Sequence, residues 1–374
     1  MSSVTKLADE TGWFETLRSI CAYDSYHIPA YQRLAAGGGY DTGYETVLLS
    51  YEARGVRAVI PLTMRPLPDP VREATGYAVD ATSVYGYPGP LRTSRDGAGP
   101  ASPGGVPEPG TGPVEVDDSW RTDFVAWFAG QMHERKVLTA FIRTNPLLDA
   151  SDMFCSMPFV FGPPTPTVAV DLTTPREDRL RQSSSHHRRA LRKSSSNNLT
   201  FLPDHSDSAI AGFTSCYLQT MGKHQAGQAY LLDEARVATL LDGLGEHLEL
   251  WVARKPDGVV ASAGLFLRTN GIIQYHLGGT RAEDYALGAA RPLFETVADS
   301  GHERGDRWFH LGGGVGGDDD SLLRYKGGFG PQRFEYRTIR AVFDEEAYGL
   351  AVKAAGQDPE RGFFPAYRTT GMGV

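Results

Sequence analysis

Lys326 is the residue around which chemistry could be organised in this chain. It lies in Phe309–Gly330, FHLGGGVGGDDDSLLRYKGGFG, where a glycine-rich run and Asp318, Asp319 and Asp320 precede it and Gly327, Gly328 and Phe329 follow. Glycine-rich turns after an apolar strand let backbone approach a ligand. The stretch therefore suggests a phosphate cradle, a metal loop or a mount for the lysine. Gly312-x-Gly314-x-x-Gly317 has the form of a dinucleotide fingerprint, but three carboxylates stand where a helix N-terminus would meet pyrophosphate, and they would repel it. No Gly-Lys-Ser/Thr follows, as a P-loop needs. Counted from Asp318, the twelfth position, where an EF-hand requires glutamate, is Phe329. A lysine mount remains, with the aspartates either capping the helix SLLRYKG, where acids suit the dipole, or joining the chemistry.

Other reactive types form weaker patterns. His133-Glu134 and His302-Glu303 lack the second histidine of a zincin, since Val137 and Asp306 stand four residues on. No Gly-x-Ser-x-Gly elbow occurs. His186-His187, beside several basic residues, reads as a solvated helix face rather than a metal pair, and no metal is expected. Cys21, Cys155 and Cys216 are far apart, which excludes a disulfide scaffold or zinc ribbon and fits a reducing cytoplasm. The formal charge of −8 excludes a coat of nucleic-acid-binding charge but not a local basic patch. The N-terminus lacks the apolar stretch of a signal peptide and no run approaches a membrane span, so a soluble, cytoplasmic protein is expected.

The elements that must position Lys326 repeat. From Glu45, ETVLLSYEARGVRAVIPLTMRPL alternates about a turn at Arg54-Gly55, and SVYGYPGPL, a helix from Ser119 to Lys136 and a strand LTAFIR follow. From Leu248, a strand, a turn at Pro256-Asp257-Gly258 and a second strand lead through Asn270-Gly271 into IIQYHLGG, a helix and RWFHLGG. Both helices end in His-Glu-Arg. This order predicts an α/β (α+β) protein of two tandem units, each a mixed sheet flanked by helices. The first spans 1–157, with a Pro/Gly-rich mobile insertion at 93–118 and a C-terminal return at 340–374 that includes a helix over 344–354. The second spans 158–339. Between them, Thr174 caps a basic helix that carries Arg181, Arg188 and Arg192 on one face, with Arg189 and Lys193 beside them. Asp284–Leu293, DYALGAARPL, sets Gly288-x-Ala290 at a helix start and resembles the acyl-CoA pyrophosphate loop of GNAT acyltransferases, with Tyr285 where Gln or Arg is usual. Gly288 could equally serve close helix–sheet packing.

Taken together, DSYHIPAYQRL, YGYPGP, FIRTNPLL, the basic helix and above all DSLLRYKGGFG resemble the Fem family over Asp24 to Arg337. Its members are double-GNAT-fold transferases that move an aminoacyl group from aminoacyl-tRNA to an amine, typically on a peptidoglycan precursor; the wider group includes acyl-CoA-dependent and antibiotic-forming enzymes. The resemblance puts the family's Phe-Lys pair on Tyr325-Lys326, its Thr-x-x-Arg on Thr220 and Lys223, and its following tyrosine on Tyr230. The tyrosine before Gly-Pro is Tyr85 or Tyr87. Tyr275 and Phe329 complete the expected substrate-binding set. The family's first-unit lysine, which holds a sugar nucleotide, is missing from YQRLAAGGGYDTGYE, which favours a smaller amine acceptor.

The resemblance thus implies an aminoacyl-tRNA-dependent transferase with aminoacyl-tRNA as co-substrate and no separate cofactor. Lys326 would be the cation at the ester, and Arg181, Arg188, Arg189, Arg192 and Lys193 would meet tRNA phosphates. An acyl-CoA N-acyltransferase using Gly288 and Ala290, and a binding protein that keeps the fold, are the competing readings.

Overall fold

A computed structural model describes residues 2–20, 22–37, 45–93, 113–154, 158–223, 231–314, 319–358 and 363–368. The chain divides into two compact units, one built mainly from 1–101, 107–164 and 335–372, the other mainly from 165–334.

The first unit holds β1 (Ser3–Lys6), β2 (Glu45–Ala53), β3 (Val56–Pro66), β4 (Val79–Thr82), β5 (Leu91–Arg92), β6 (Val137–Arg143) and β7 (Phe159–Phe161). The second holds β8 (Thr165–Asp171), β9 (Thr200–Pro203), β10 (Leu248–Arg254), β11 (Val260–Thr269), β12 (Ile272–Thr280) and β13 (Trp308–Gly312), with β14 (Arg333–Tyr336) at its edge. The chain then returns to the first unit as β15 (Thr338–Val342). The sheet orders are β1-β2-β3-β4-β6-β15-β7 and β9-β10-β11-β12-β13-β8-β14, the same topology twice. In each, an antiparallel meander ends in a strand that crosses over through a helix to a parallel neighbour. These crossover helices are Asp118–Glu134 and Ala290–Glu303.

The expected turns form for the expected reason. Arg54 and Gly55 close β2–β3 with φ of 54° and 76°, and Asn270 and Gly271 close β11–β12 with 50° and 74°; such left-handed pairs match the twist of a tight hairpin. The first core stacks Trp120, Phe124 and Phe128 of the crossover helix against Phe154 and the inward residues of β2 and β3. The second packs Leu293, Phe294 and Val297 on Phe266, Ile273 and Phe309. Each such side chain removed from water contributes roughly 1.5–3 kcal/mol.

Three expectations shift in detail. β7 and β15 both pair within the first sheet, so the second unit runs over 165–334 rather than 158–339. The tail helix is Glu345–Ala354, with Asp344 as its cap on the Ala347 amide. The basic segment is not one helix capped by Thr174. Pro175 stands at the first N-cap, Ser183 is extended, and Ser184 restarts the chain, so Arg176–Gln182 and Ser185–Ser194 are separate helices. Of the insertion, 94–112 lies outside the described residues, and its last residue, Asp118, already begins the crossover helix. Among the described residues, no helix is long and apolar enough to cross a membrane.

Candidate active site

The second sheet opens where its parallel strands part. β12 pairs with β13 only from Ile272 to Gln274, against Trp308 to His310; from Tyr275 to Thr280 it stays on β11, while β13 stays on β8, its partner on the other side from Trp308 to Gly312. The last shared rung carries a buried polar pair, His310 Nδ1 to Gln274 Oε1 at 2.6 Å. Beyond it Gly312 adopts φ 78°, and a side chain on Gly313 would put its Cβ 2.8 Å from the Pro166 carbonyl. In the first unit the corresponding pair continues past its ladder. Ser83 donates its amide to Phe141, and its hydroxyl accepts from the Arg143 amide.

Lys326 fills the opening in the second unit. Its helix, Ser321–Gly327, starts on Asp320, whose carboxylate accepts from the Leu323 amide at 2.8 Å. Leu323 and Lys326, three apart, share the buried face. The Lys326 Nζ donates to the Gly313 carbonyl at 2.6 Å and lies 5.8 Å from the centre of the Tyr275 ring. It thus touches the residue just past the turn of β13 and neighbours Tyr275, the first residue of β12 beyond its ladder with β13. Burial lowers its pKa from the ordinary 10.5 to about 8, against a smaller opposing pull from Asp320. Near pH 8 such an amine is divided between a charged donor and a neutral base, so it can give or take a proton.

Tyr325 stands beside it. Its hydroxyl is buried without a hydrogen-bond partner among the described residues, and burial raises its pKa to about 12. The Arg291 guanidinium lies over its ring at 4.3 Å. Phe329 is buried, 4.4 Å from the His187 ring and 5.6 Å from that of Phe294, so it anchors the motif in the core. Tyr275 packs on Phe294 and Phe266.

The other sequence candidates fall elsewhere in their units. Thr220 accepts the Thr280 amide and donates to the Cys216 carbonyl, at the far end of β12, and Lys223 lies 3.8 Å over the Tyr285 ring. Tyr230 and Asp318 lie outside the described residues. Gly288 has φ 63°, and only Ser194 Cβ comes within 4 Å of the side chain it lacks, so backbone conformation rather than close packing demands glycine. Ala290 begins the crossover helix, which has no side-chain cap, and Ser194 and Asn197 both donate to the Leu287 carbonyl just before it. Arg181 is exposed and paired with Glu177 and Asp178. Arg188 turns back to the carbonyls of Leu180, Arg181 and Ser183 and closes the preceding helix, whereas Arg189, Arg192 and Lys193 are exposed.

In the first unit the early motifs converge on one buried knot. Asn145 donates to Asp24 at 2.8 Å and to the Tyr87 carbonyl at 3.0 Å, while His27 lies between Asp24 and the Gly89 carbonyl. Gly86, at φ 96°, leaves no room for a Cβ against the Tyr26 ring. The knot holds Tyr85 half exposed and packs Tyr87 between Tyr26 and Tyr336.

Sequence reasoning missed the polar groups under the second-unit site. His187, read as solvated, is fully buried and bonded to Glu295 and Arg291, because the restart at Ser184 turns that side of its helix inward. Gln274 and His310 gave no signal beyond polar residues interrupting apolar strands.

A family model described as an acetyltransferase (GNAT) domain matches residues 179–327. No curated protein matches the sequence. Among solved structures, FemX superposes with a TM-score of 0.66 at 12% identity, covering 91% of this chain and 98% of that one. A conserved protein of unknown function from Bacteroides thetaiotaomicron superposes at 0.54 with 11% identity, covering 91% and 99%. The chain has a Fem-like double GNAT fold, with the acetyltransferase-type domain lying within its second unit.

Proposed function

We propose that this chain is an aminoacyl-tRNA-dependent transferase that forms an amide between the aminoacyl group of a charged tRNA and an amine of a small natural-product or cell-wall precursor. The observation that carries the reading is the dry Lys326 amine at the parting of β12 and β13, held on a backbone carbonyl and lowered to about pH 8. In the reaction the acceptor nitrogen attacks the ester carbonyl, a C–N bond forms, and the ribose C–O bond breaks. The acceptor loses a proton and the departing ribose oxygen gains one. Lys326 as ammonium stabilises the oxyanion, an effect worth about 3–4 kcal/mol where donors are preorganised, and can protonate the leaving oxygen. Alignment of two bound reactants supplies roughly 7–11 kcal/mol more. The acceptor α-amine, with an ordinary pKa of about 7.7–8.0, is partly neutral without a strong base.

Exposed Arg189, Arg192 and Lys193 supply positive charge for tRNA phosphates, and Ser194 ties the end of their helix to the loop before the uncapped N-terminus at Ala290. Tyr85 and Tyr87 offer aromatic surface for substrate in the first unit. The same uncapped N-terminus, with Gly288 in a left-handed turn, is the observation favouring the second reading, an acyl-CoA-dependent N-acyltransferase.

The test offers candidate amines with charged tRNA or with acyl-CoA and follows product by mass spectrometry. Amide that disappears after RNase treatment supports the first reading, whereas RNase-insensitive product requiring acyl-CoA replaces it with the second. In single-turnover transfer Lys326→Ala should slow the chemical step at least tenfold, and wild-type rates would remove Lys326 from the mechanism.

A further inference from the structure

The lysine that the function depends on sits on a helix of only seven residues, and the polar cluster beneath it has the geometry of a clamp. Arg291 Nη1 lies 2.8 Å from His187 Nδ1, and His187 Nε2 lies 2.7 Å from a Glu295 carboxylate oxygen. A guanidinium can only donate, so Nδ1 must accept and Nε2 must carry the hydrogen given to Glu295. His187 is thereby held as one tautomer between a cation and an anion. Arg291, fixed at one end, lays its guanidinium 4.3 Å over the ring of Tyr325, the residue before Lys326.

The following residues are shaped to this arrangement. A Cβ on Gly328 would lie 3.3 Å from Arg291 Nη1 and 3.2 Å from the Ser184 hydroxyl, and the Gly328 carbonyl accepts from the Ser184 amide at 2.9 Å. The Phe329 ring lies against His187 itself. Glycine and phenylalanine after the lysine are thus explained as docking residues for the His187–Arg291 pair.

We infer that His187 is a positioning residue, which holds Arg291 over Tyr325 and so keeps the Lys326 amine in its dry place on the Gly313 carbonyl. The catalytic meaning of that positioning rests on the transferase reading; the positioning itself does not.

The experiment therefore reads Lys326 directly. Limited acetylation with acetic anhydride from about pH 6 to about pH 11, with the Lys326 peptide quantified by mass spectrometry, gives the titration of this one amine. The wild-type amine should titrate near 8. His187→Gln keeps a donor for Glu295 but loses the acceptor for Arg291, and should raise the value by about one unit or more as water reaches the amine. His187→Asn returns an acceptor close to the position of Nδ1 and should restore the wild-type profile. Arg291→Lys leaves His187 in place, cannot both bond it and cover the ring, and should shift like the glutamine variant. Urea unfolding confirms that each variant is folded. Equal profiles for the Gln and Asn variants, or a wild-type profile for Arg291→Lys, overturn the inference. Failure to form amide with any donor would sink the transferase reading and leave this result untouched.

Discussion

The stability difference between the wild-type chain and a Lys326→Met variant should depend on pH in a way that reports the site. Lys326 is buried, and burial takes its pKa from 10.5 to about 8. Below pH 8 both folded and unfolded chains hold the proton, and the folded state bears the full cost of the buried charge, about 3 kcal/mol. Between pH 8 and 10.5 the unfolded chain still binds the proton while the folded chain has released it, so wild-type stability rises with pH. Above 10.5 both are neutral and the penalty is gone. Methionine fills similar space without titrating. Losing the bond to the Gly313 carbonyl offsets the whole curve but does not change its slope. Urea unfolding of both chains, followed by tryptophan fluorescence at a series of pH values, should show the difference moving in favour of the wild type by about 3 kcal/mol from pH 7.5 to 10.5. A difference that stays flat within about 1 kcal/mol would mean that the ammonium is solvated in the folded state. The dry amine on which the mechanism rests would then not exist.

Other perturbations test separate parts of the argument. Asp320→Ala removes the cap of the lysine helix and should cost about 1 kcal/mol, measured by thermal unfolding; no loss would return the aspartate to the list of chemical candidates. Gly86→Ala forces a Cβ into the Tyr26 ring at φ 96° and should destabilise the chain by about 1–3 kcal/mol, with a lowered Tm as the readout. If tRNA is the donor, Arg189→Ala, Arg192→Ala and Lys193→Ala should each reduce the salt dependence of tRNA binding by about one unit. Arg188→Ala should instead lower stability, because its guanidinium is spent on helix carbonyls; filter binding against salt, paired with urea unfolding, separates the two effects.

Local chemistry made much of the fold legible. Arg54-Gly55 and Asn270-Gly271 name tight hairpins because few residues accept left-handed backbone, and alternation about them names the strands. The crossover helices declare themselves by apolar spacing. The double break at Ser183 and Ser184 was missed, although a serine run is itself a capping signal, because the arginines around it kept the spacing of one continuous helix. The parentage of β7 was also hidden, since a strand's partner depends on contacts far along the chain rather than on its own residues. The return of the chain to the first unit was expected and begins only a few residues earlier, at 335 rather than 340.

By itself the sequence determined the element types and the repeated order and singled out Lys326 as a candidate, since these follow from backbone preference and from residues adjacent in the chain. Only the tertiary structure decided that β12 and β13 part after Gln274 and His310, that the lysine lies dry on the Gly313 carbonyl, and that His187 is buried beneath it rather than solvated. Desolvation and hydrogen-bond partnership belong to neighbours in space, and such neighbours can lie more than a hundred residues apart in the chain, as His187 and Glu295 do.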